Sequence, residues 1–246
     1  MAYQSKVMIV YIFALFMTVI DGTMVNVALP TMARDFGVPT TDIEWISLGY
    51  LLALAAVIPA AGWLGDRFGT KRMFVIALVI FVVTSLLCGL SQTLGQLIGF
   101  RVLQGIGGGL LTPVGGAMLY RAYSMEDRAK AAIGVLSVTV IAPAVGPVLG
   151  GLIVDQASWQ WIFYINVPIG ALALVLSVLW LRETVQPDPG GFDAPGFVLS
   201  AAAVALLLYT LSIGPEKGWS SPTTLAFGIA GAVCLIAMIV VELRVE

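Results

Sequence analysis

Two charged residues stand where a bilayer would be. Asp21 lies in "TVIDGTMVNVALP" and Arg101 in "GFRVLQGIGGG", both inside long apolar runs. A charge near the centre of the hydrocarbon costs about 2.5–3.5 kcal/mol on insertion scales, so such residues default to ion pathways and relays. At 1.5 Å of rise per helical residue, Asp21 is about 12 Å below the outer end of its segment and Arg101 about 9 Å below the same surface on an antiparallel one. A carboxyl in a low-dielectric site is pushed toward its neutral form, and a nearby arginine pulls it back. An acid between those influences can take up and release a proton as water access changes. The chain has no histidine, so Asp21 is the first candidate for a proton carrier. Two readings stand side by side: a structural ion pair, and a site lining a cavity. For the second, Arg101, Gly105, Gly108 and Thr112 form one narrow stripe of small and polar groups at helical spacing. Met17 and Met24 flank Asp21 by about a turn, as ligand contacts or as plain packing. Both charges are expected to face the inside of a helix bundle rather than lipid.

The elements that hold these residues follow from composition. The chain of 246 residues is 59% hydrophobic and 11% charged, with a mean hydropathy of +1.00. Soluble domains carry about 25% charged residues, so this is an integral membrane protein. At a net charge of -2, nothing suggests nucleic acid, and none is expected as a partner. Cys88 and Cys234 each sit in an apolar run and read as small core residues. The first apolar run is too long for a signal peptide and reads as a retained span.

About 20 residues of helix cross the hydrocarbon. Eight such segments are predicted, at about 7–30, 44–64, 73–91, 95–119, 130–154, 162–181, 196–213 and 223–242. Lys and Arg stay on the cytoplasmic side. With the N-terminus inside, Lys6, Arg67, Lys71, Arg72, Arg121, Arg128, Lys130, Arg182 and Arg244 all fall inside, and only Arg34 and Lys217 outside. Both termini are therefore expected in the cytoplasm of a multi-pass protein. The fold class is an all-α membrane protein: a six-span bundle over 1–183, a cytoplasmic linker at 184–195 that contains "PDPGG", and a two-span hairpin over 196–246. Spans 1–3 and 4–6 suit a three-plus-three inverted repeat, a common transporter construction.

Several glycine-rich stretches need an account. "QGIGGGLLTP" lacks the preceding strand and the following Lys-Ser/Thr of a phosphate loop. Ala142, Gly146 and Gly150 leave one face of span 5 nearly bare, while Pro143 and Pro147 remove backbone donors and should bend it. That face reads either as tight packing or as a kinked helix sealing one side of a cavity. "GWLGDRFGTKR" joins spans 2 and 3 with more glycine than a turn needs, and with an acid against the positive-inside trend.

Together these stretches resemble the major facilitator superfamily, and more narrowly its fourteen-span drug:proton antiporters. The loop matches at Gly62, Asp66, Arg67, Gly69, Lys71 and Arg72, with Thr70 where a basic residue is usual. "RVLQGIGGG" matches the span 4 motif at Arg101, Gln104, Gly105 and Gly107. "GPVLGG" matches the span 5 antiporter motif at Gly146, Pro147, Gly150 and Gly151, with Ala142 in place of a further glycine. "IDGTMVNVALP" is similar to that group's span 1, and "WQWIFYINVPIG" to the start of its span 6, with Gln160 where Arg is usual.

The resemblance implies a proton-driven exporter of amphipathic, often cationic small molecules, located in the plasma (inner) membrane and working by alternating access. Arg101 would be the proton-relay arginine and Asp21 the span 1 acid. Gly62–Arg72 would be a cytoplasmic latch, and the last two spans the pair inserted between the two halves. It implies no enzymatic reaction, no cofactor and no metal, the proton being the coupling ion. The partners implied are the substrate, protons, the bilayer and a second transporter half. The family needs that second six-helix half and this sequence stops at "VELRVE", so a truncated product is expected, with a half-length or split-transporter subunit as the alternative. A uniporter on the same fold is a third reading.

Overall fold

The computed structural model describes residues 2–186, 188 and 190–243. Arg244, counted above among the inside charges, lies outside the described residues, as do Pro187 and Pro189 of the connector. The described residues form helices joined by short loops. α1 is Tyr3–Phe36, α2 Thr40–Ile43, α3 Trp45–Phe68, α4 Thr70–Gly89 and α5 Leu94–Ala122. α6 is Arg128–Gln156, α7 Trp161–Tyr164, α8 Asn166–Trp180, α9 Ala194–Lys217 and α10 Pro222–Glu242. Eight spans long and apolar enough to cross a membrane result, because α2 runs into α3 and α7 into α8. The fold is thus all-α with eight spans, as the apolar runs predict.

Two features depart from the plain span pattern. Spans 2 and 6 each begin with a separate single turn, broken at Glu44 and Ile165. At the second break Pro168 has no amide hydrogen for the Tyr164 carbonyl, so the regular ladder loses a bond there. The helices also run past the hydrocarbon. α1 has 34 residues, about 51 Å at the standard rise.

Local chemistry sets the ends. Gly37 closes α1 in the left-handed region at φ 64°, with its amide and that of Val38 returning to the Arg34 and Ala33 carbonyls. Thr93 caps α5 by accepting from the Gln96 amide, and the Gln96 side chain accepts from the Gln92 amide in return. Asp193 and Ser221 cap α9 and α10, each just before a proline in the first turn.

α1 is the centre of the bundle, packed against α5, α6 and α8. α5 fits between α3 and α4 because glycines face both neighbours. A Cβ on Gly107 would stand 2.9 Å from the Phe81 amide nitrogen of α4, and one on Gly109 would collide with the Leu54 carbonyl of α3. The buried side chains form two apolar layers. One gathers Val10, Met17, Phe74, Phe81, Leu111 and Val114. The other gathers Ile20, Met24, Ile46, Leu97, Ile162 and Phe163. Ser85 of α4 and Arg101 and Gln104 of α5 fall between the two, and Asp21 of α1 follows Ile20 at the edge of the second.

The last two helices form a hairpin whose α9 lies along α3. The ring centroids of Trp45 and Tyr209 are 5.7 Å apart near one end of α3, and those of Trp63 and Phe192 4.8 Å apart near the other.

Candidate functional site

Asp21 is fully buried, and α4, α5 and α8 close around it. Arg101 Nη1 donates to its Oδ2 at 2.5 Å. Asn166 Nδ2 donates to its Oδ1 at 2.8 Å, and Gln104 Nε2 to the same atom at 3.2 Å. The carboxylate therefore has one ionic and two amide donors, which offset the cost of burying it. Asp21 and Arg101, matched in depth from the sequence, are in direct contact.

The second layer of contacts fixes the first. Arg101 Nη1 also donates to Gln104 Oε1 at 2.8 Å, which turns the amide so that its nitrogen faces Asp21. Arg101 Nε reaches the Ile46 carbonyl at 3.4 Å. Its guanidinium carbon lies 4.0 Å from the centre of the Tyr50 ring, a cation–π contact in a desolvated place. The Cys88 thiol sits 3.7 Å from Gln104 Oε1. Ser85 Oγ accepts from Asn166 Nδ2 at 3.1 Å and donates to the Phe163 carbonyl at 2.9 Å.

An open cavity of about 340 Å³ adjoins this cluster. Its wall is mostly apolar, from Leu15, Val19, Leu51 and Leu54, with hydroxyls from Thr18, Thr23, Ser47 and Thr112. Ser47 donates to Asn26 Oδ1 at 2.8 Å on its rim. Tyr50 and Arg101 line the cavity and Asp21 does not, so Arg101 stands between the acid and the open space. Both charges are turned away from lipid, and only the arginine reaches the inner surface.

Other expected residues take different places. Gly105 and Gly108 face α3, against the Tyr50 carbonyl and hydroxyl, so most of the span 4 stripe is a packing seam; Arg101 and Thr112 at its ends line the cavity. Met17 and Met24 are buried against Gly170 and Gly150, which is plain packing. Gly146 and Gly150 face α1 at Thr23 and Met24, while Gly151 has open space beside it. Pro143 and Pro147 are exposed beside that face, on a helix that continues through both. Gln160, in the place where Arg is usual, has its Oε1 buried without a partner.

The α3–α4 loop forms a second cluster. Asp66 accepts from Arg121 Nη2 of α5 at 2.6 Å. Gly69 takes φ 99° between the two helices and is buried under the Glu183 carboxylate. Glu183 accepts from the Lys71 and Arg72 amides at 3.0 and 3.1 Å, capping α4 from the connector after α8. The Thr70 amide donates to the Thr184 carbonyl at 3.0 Å, and the Gln186 amide to the Asp66 carbonyl at 3.1 Å. A buried Thr70, in place of a basic residue, suits that close pairing. Lys71 Nζ donates to the Val178 carbonyl at 2.8 Å, whereas Arg67 and Arg72 point outward, exposed. The first half of the expected linker is thus bound to the bundle. Next along, the Lys130 ammonium hydrogen-bonds Asp127 at 2.7 Å and holds its carboxyl below the usual range.

Sequence reasoning missed Asn166, Ser85, Tyr50 and Glu183. Asn166 carried the one readable signal, a lone amide inside the span 6 apolar run.

A family model described as the Major Facilitator Superfamily matches residues 11–243. A protein called an uncharacterized MFS-type transporter, YhcA of Bacillus subtilis, is 34% identical over 97% of this chain and 45% of its own length. The putative multidrug resistance protein MdtD of Yersinia enterocolitica is 39% identical over 88% of this chain and 46% of its own. MdtD of Salmonella newport is 38% identical over 92% and 48%. The chain spans about half the length of the curated relatives it matches. Among solved structures, the human organic anion transporter MFSD10 superposes with a TM-score of 0.66 at 14% identity, over 91% of this chain and 59% of that one.

Proposed function

Because the chain belongs to the major facilitator superfamily, we propose that it forms the Asp21-bearing part of a proton-coupled exporter of amphipathic small molecules. The multi-pass membrane fold and the relatives named for multidrug resistance support that reading. The observation that carries it is one buried carboxylate held by Arg101, beside a mostly apolar cavity whose polar lining is a few hydroxyls, the Asn26 amide and Arg101 itself. Such a wall suits a greasy ligand with few polar groups.

Arg101 has two alternatives for its charge: the Asp21 carboxylate, or whatever occupies the cavity. Protonating Asp21 removes the first and frees the guanidinium to swing outward. A cationic ligand then meets an unpaired positive charge and is repelled. By linkage, a proton that weakens ligand binding is itself weakened equally by the ligand. That competition is the thermodynamic core of antiport. The second helix bundle would complete the cavity, since rocking motion needs two bundles around one site. We place the protein in the plasma (inner) membrane with Lys6, Arg67, Lys71, Arg72 and Arg121 on the cytoplasmic side, which makes the Asp66–Glu183 cluster a cytoplasmic latch.

The test is dye efflux from proteoliposomes against an imposed pH gradient, with the second bundle present. Asp21→Asn is expected to abolish gradient-driven efflux and to weaken the binding of a cationic dye at every pH. Unchanged gradient-driven efflux in that variant would end the coupling role.

A further inference from the structure

Two amides touch the Asp21 carboxylate, and they are not equivalent. Gln104 is pinned at both ends: its nitrogen faces Asp21 and its oxygen accepts from Arg101. Asn166 is pinned at one end only. Its nitrogen uses both hydrogens, on Asp21 Oδ1 and Ser85 Oγ, while its carbonyl oxygen is buried with no partner. Asn166, Ser85 and Asp21 are all fully buried, so water does not casually fill the gap.

A carboxylate needs donors, and a carboxylic acid needs an acceptor. Arginine has no acceptor to offer, and turning Gln104 over would aim its nitrogen at a guanidinium. The other ionisable groups near the acid are Arg101 on α5, Tyr50 on α3 and Cys88 on α4. α6 faces this part of α1 with Gly146 and Gly150, α7 with the Phe163 ring, and α8 with Asn166 and Gly170. Asn166 can therefore serve both forms of the acid, with its nitrogen toward the anion and its oxygen toward the protonated group. In either orientation one end of the amide is left over, so the choice is decided at Asp21 and Ser85.

We propose that Asn166 is a positioning residue that turns its side-chain amide over when Asp21 takes up a proton, and so passes the protonation state to the break between α7 and α8. This rests on the proton reading above. In the charged state Ser85 accepts from Asn166 and donates to the Phe163 carbonyl, tying α4 to α7. After protonation, the Asp21 hydroxyl donates to Asn166 Oδ1. Ser85 turns its hydrogen to the same oxygen and releases the Phe163 carbonyl. One proton arrives, no covalent bond other than its own O–H forms, and α4 gives up its bond to the Phe163 carbonyl, keeping the Tyr164 hydroxyl on the Gly89 carbonyl as its remaining tie to α7.

The experiment is infrared difference spectroscopy of the 246-residue chain in detergent, titrated by pH. Asparagine carries a carbonyl isotope label. The chain has two asparagines, Asn26 and Asn166, and Asn26→Asp identifies the other band. The expected result is an Asp21 carboxylic acid band, absent in Asp21→Asn, together with a shift of the Asn166 carbonyl band to lower wavenumber at the same midpoint. The shift is lost in Asp21→Asn. A carboxylic acid band that rises while the Asn166 band stays fixed overturns this inference and leaves the proton reading intact. No Asp21 acid band at any pH at which the chain stays folded overturns both. The labelled wild-type chain carries the test, so a variant of Asn166 that fails to fold does not weaken it.

Discussion

At the scale of single residues, the buried pair is costly to half-remove. Taking one partner from a buried ion pair leaves an uncompensated charge and costs about 3–5 kcal/mol, whereas replacing both with apolar or neutral groups is often close to neutral. Arg101→Met is expected to lower thermal stability in detergent by about that amount. The double change Asp21→Asn with Arg101→Met should recover most of it, without recovering gradient-driven efflux. Thermal melting of the single and double variants checks the first statement, and the efflux assay checks the second. If the double variant melts as low as Arg101→Met, the pair is not the origin of the loss. The pair was legible in the sequence because a charge inside an apolar run is conspicuous and helical rise converts position into depth. Contact was not legible, since depth says nothing of facing angle. Asn166, Ser85 and Tyr50 were harder still: a neutral polar residue in an apolar run, even a lone amide, does not reveal which partner it faces.

At the scale of elements, the glycines of α6 divide into two kinds. A Cβ on Gly146 would collide with the Thr23 hydroxyl, whereas Gly151 has nothing within 4 Å. Gly146→Val is expected to destabilise by about 1–3 kcal/mol, the usual cost of overpacking. Gly151→Val should leave melting unchanged. If Gly151→Val nonetheless reduces efflux, that side of α6 meets another surface during the transport cycle. Glu183 makes a similar test for the connector. Glu183→Ala removes both acceptors at the start of α4 and should cost about 0.5–2 kcal/mol, as loss of a helix cap does. An unchanged melting curve would show that the connector is not fastened there. All eight spans could be read from apolar length alone, because lipid demands it. The single-turn breaks of spans 2 and 6 could not, since both halves are equally apolar. The contacts of the connector could not be read for a related reason. Its polar, Pro- and Gly-rich composition says only that it lies outside the hydrocarbon, and not that Glu183 and Thr184 fasten it to the α3–α4 loop.

For the whole molecule, charge distribution fixes the expected orientation. In a chain lacking Cys88 and Cys234, a cysteine placed at Ser124 should react with an impermeant thiol reagent only from the cytoplasmic side. One at Thr41 should react only from the other side. The reverse pattern would invert the proposed direction of transport and place the Glu183 connector outside.

The hairpin has a mechanical consequence. Trp45 and Trp63 are 18 residues apart on α3, about 27 Å along its axis. Each packs against an aromatic ring of the hairpin or of the segment leading into it, at Tyr209 and Phe192. α3 is therefore splinted near both ends. It supplies Ser47, Tyr50, Leu51 and Leu54 to the cavity wall, so any tilt that widens the cavity drags the hairpin sideways through lipid. The drag grows with the cross-section swept and with the viscosity of the bilayer. Opening should accordingly slow in stiffer, more ordered membranes, while the equilibrium between open and closed forms changes little.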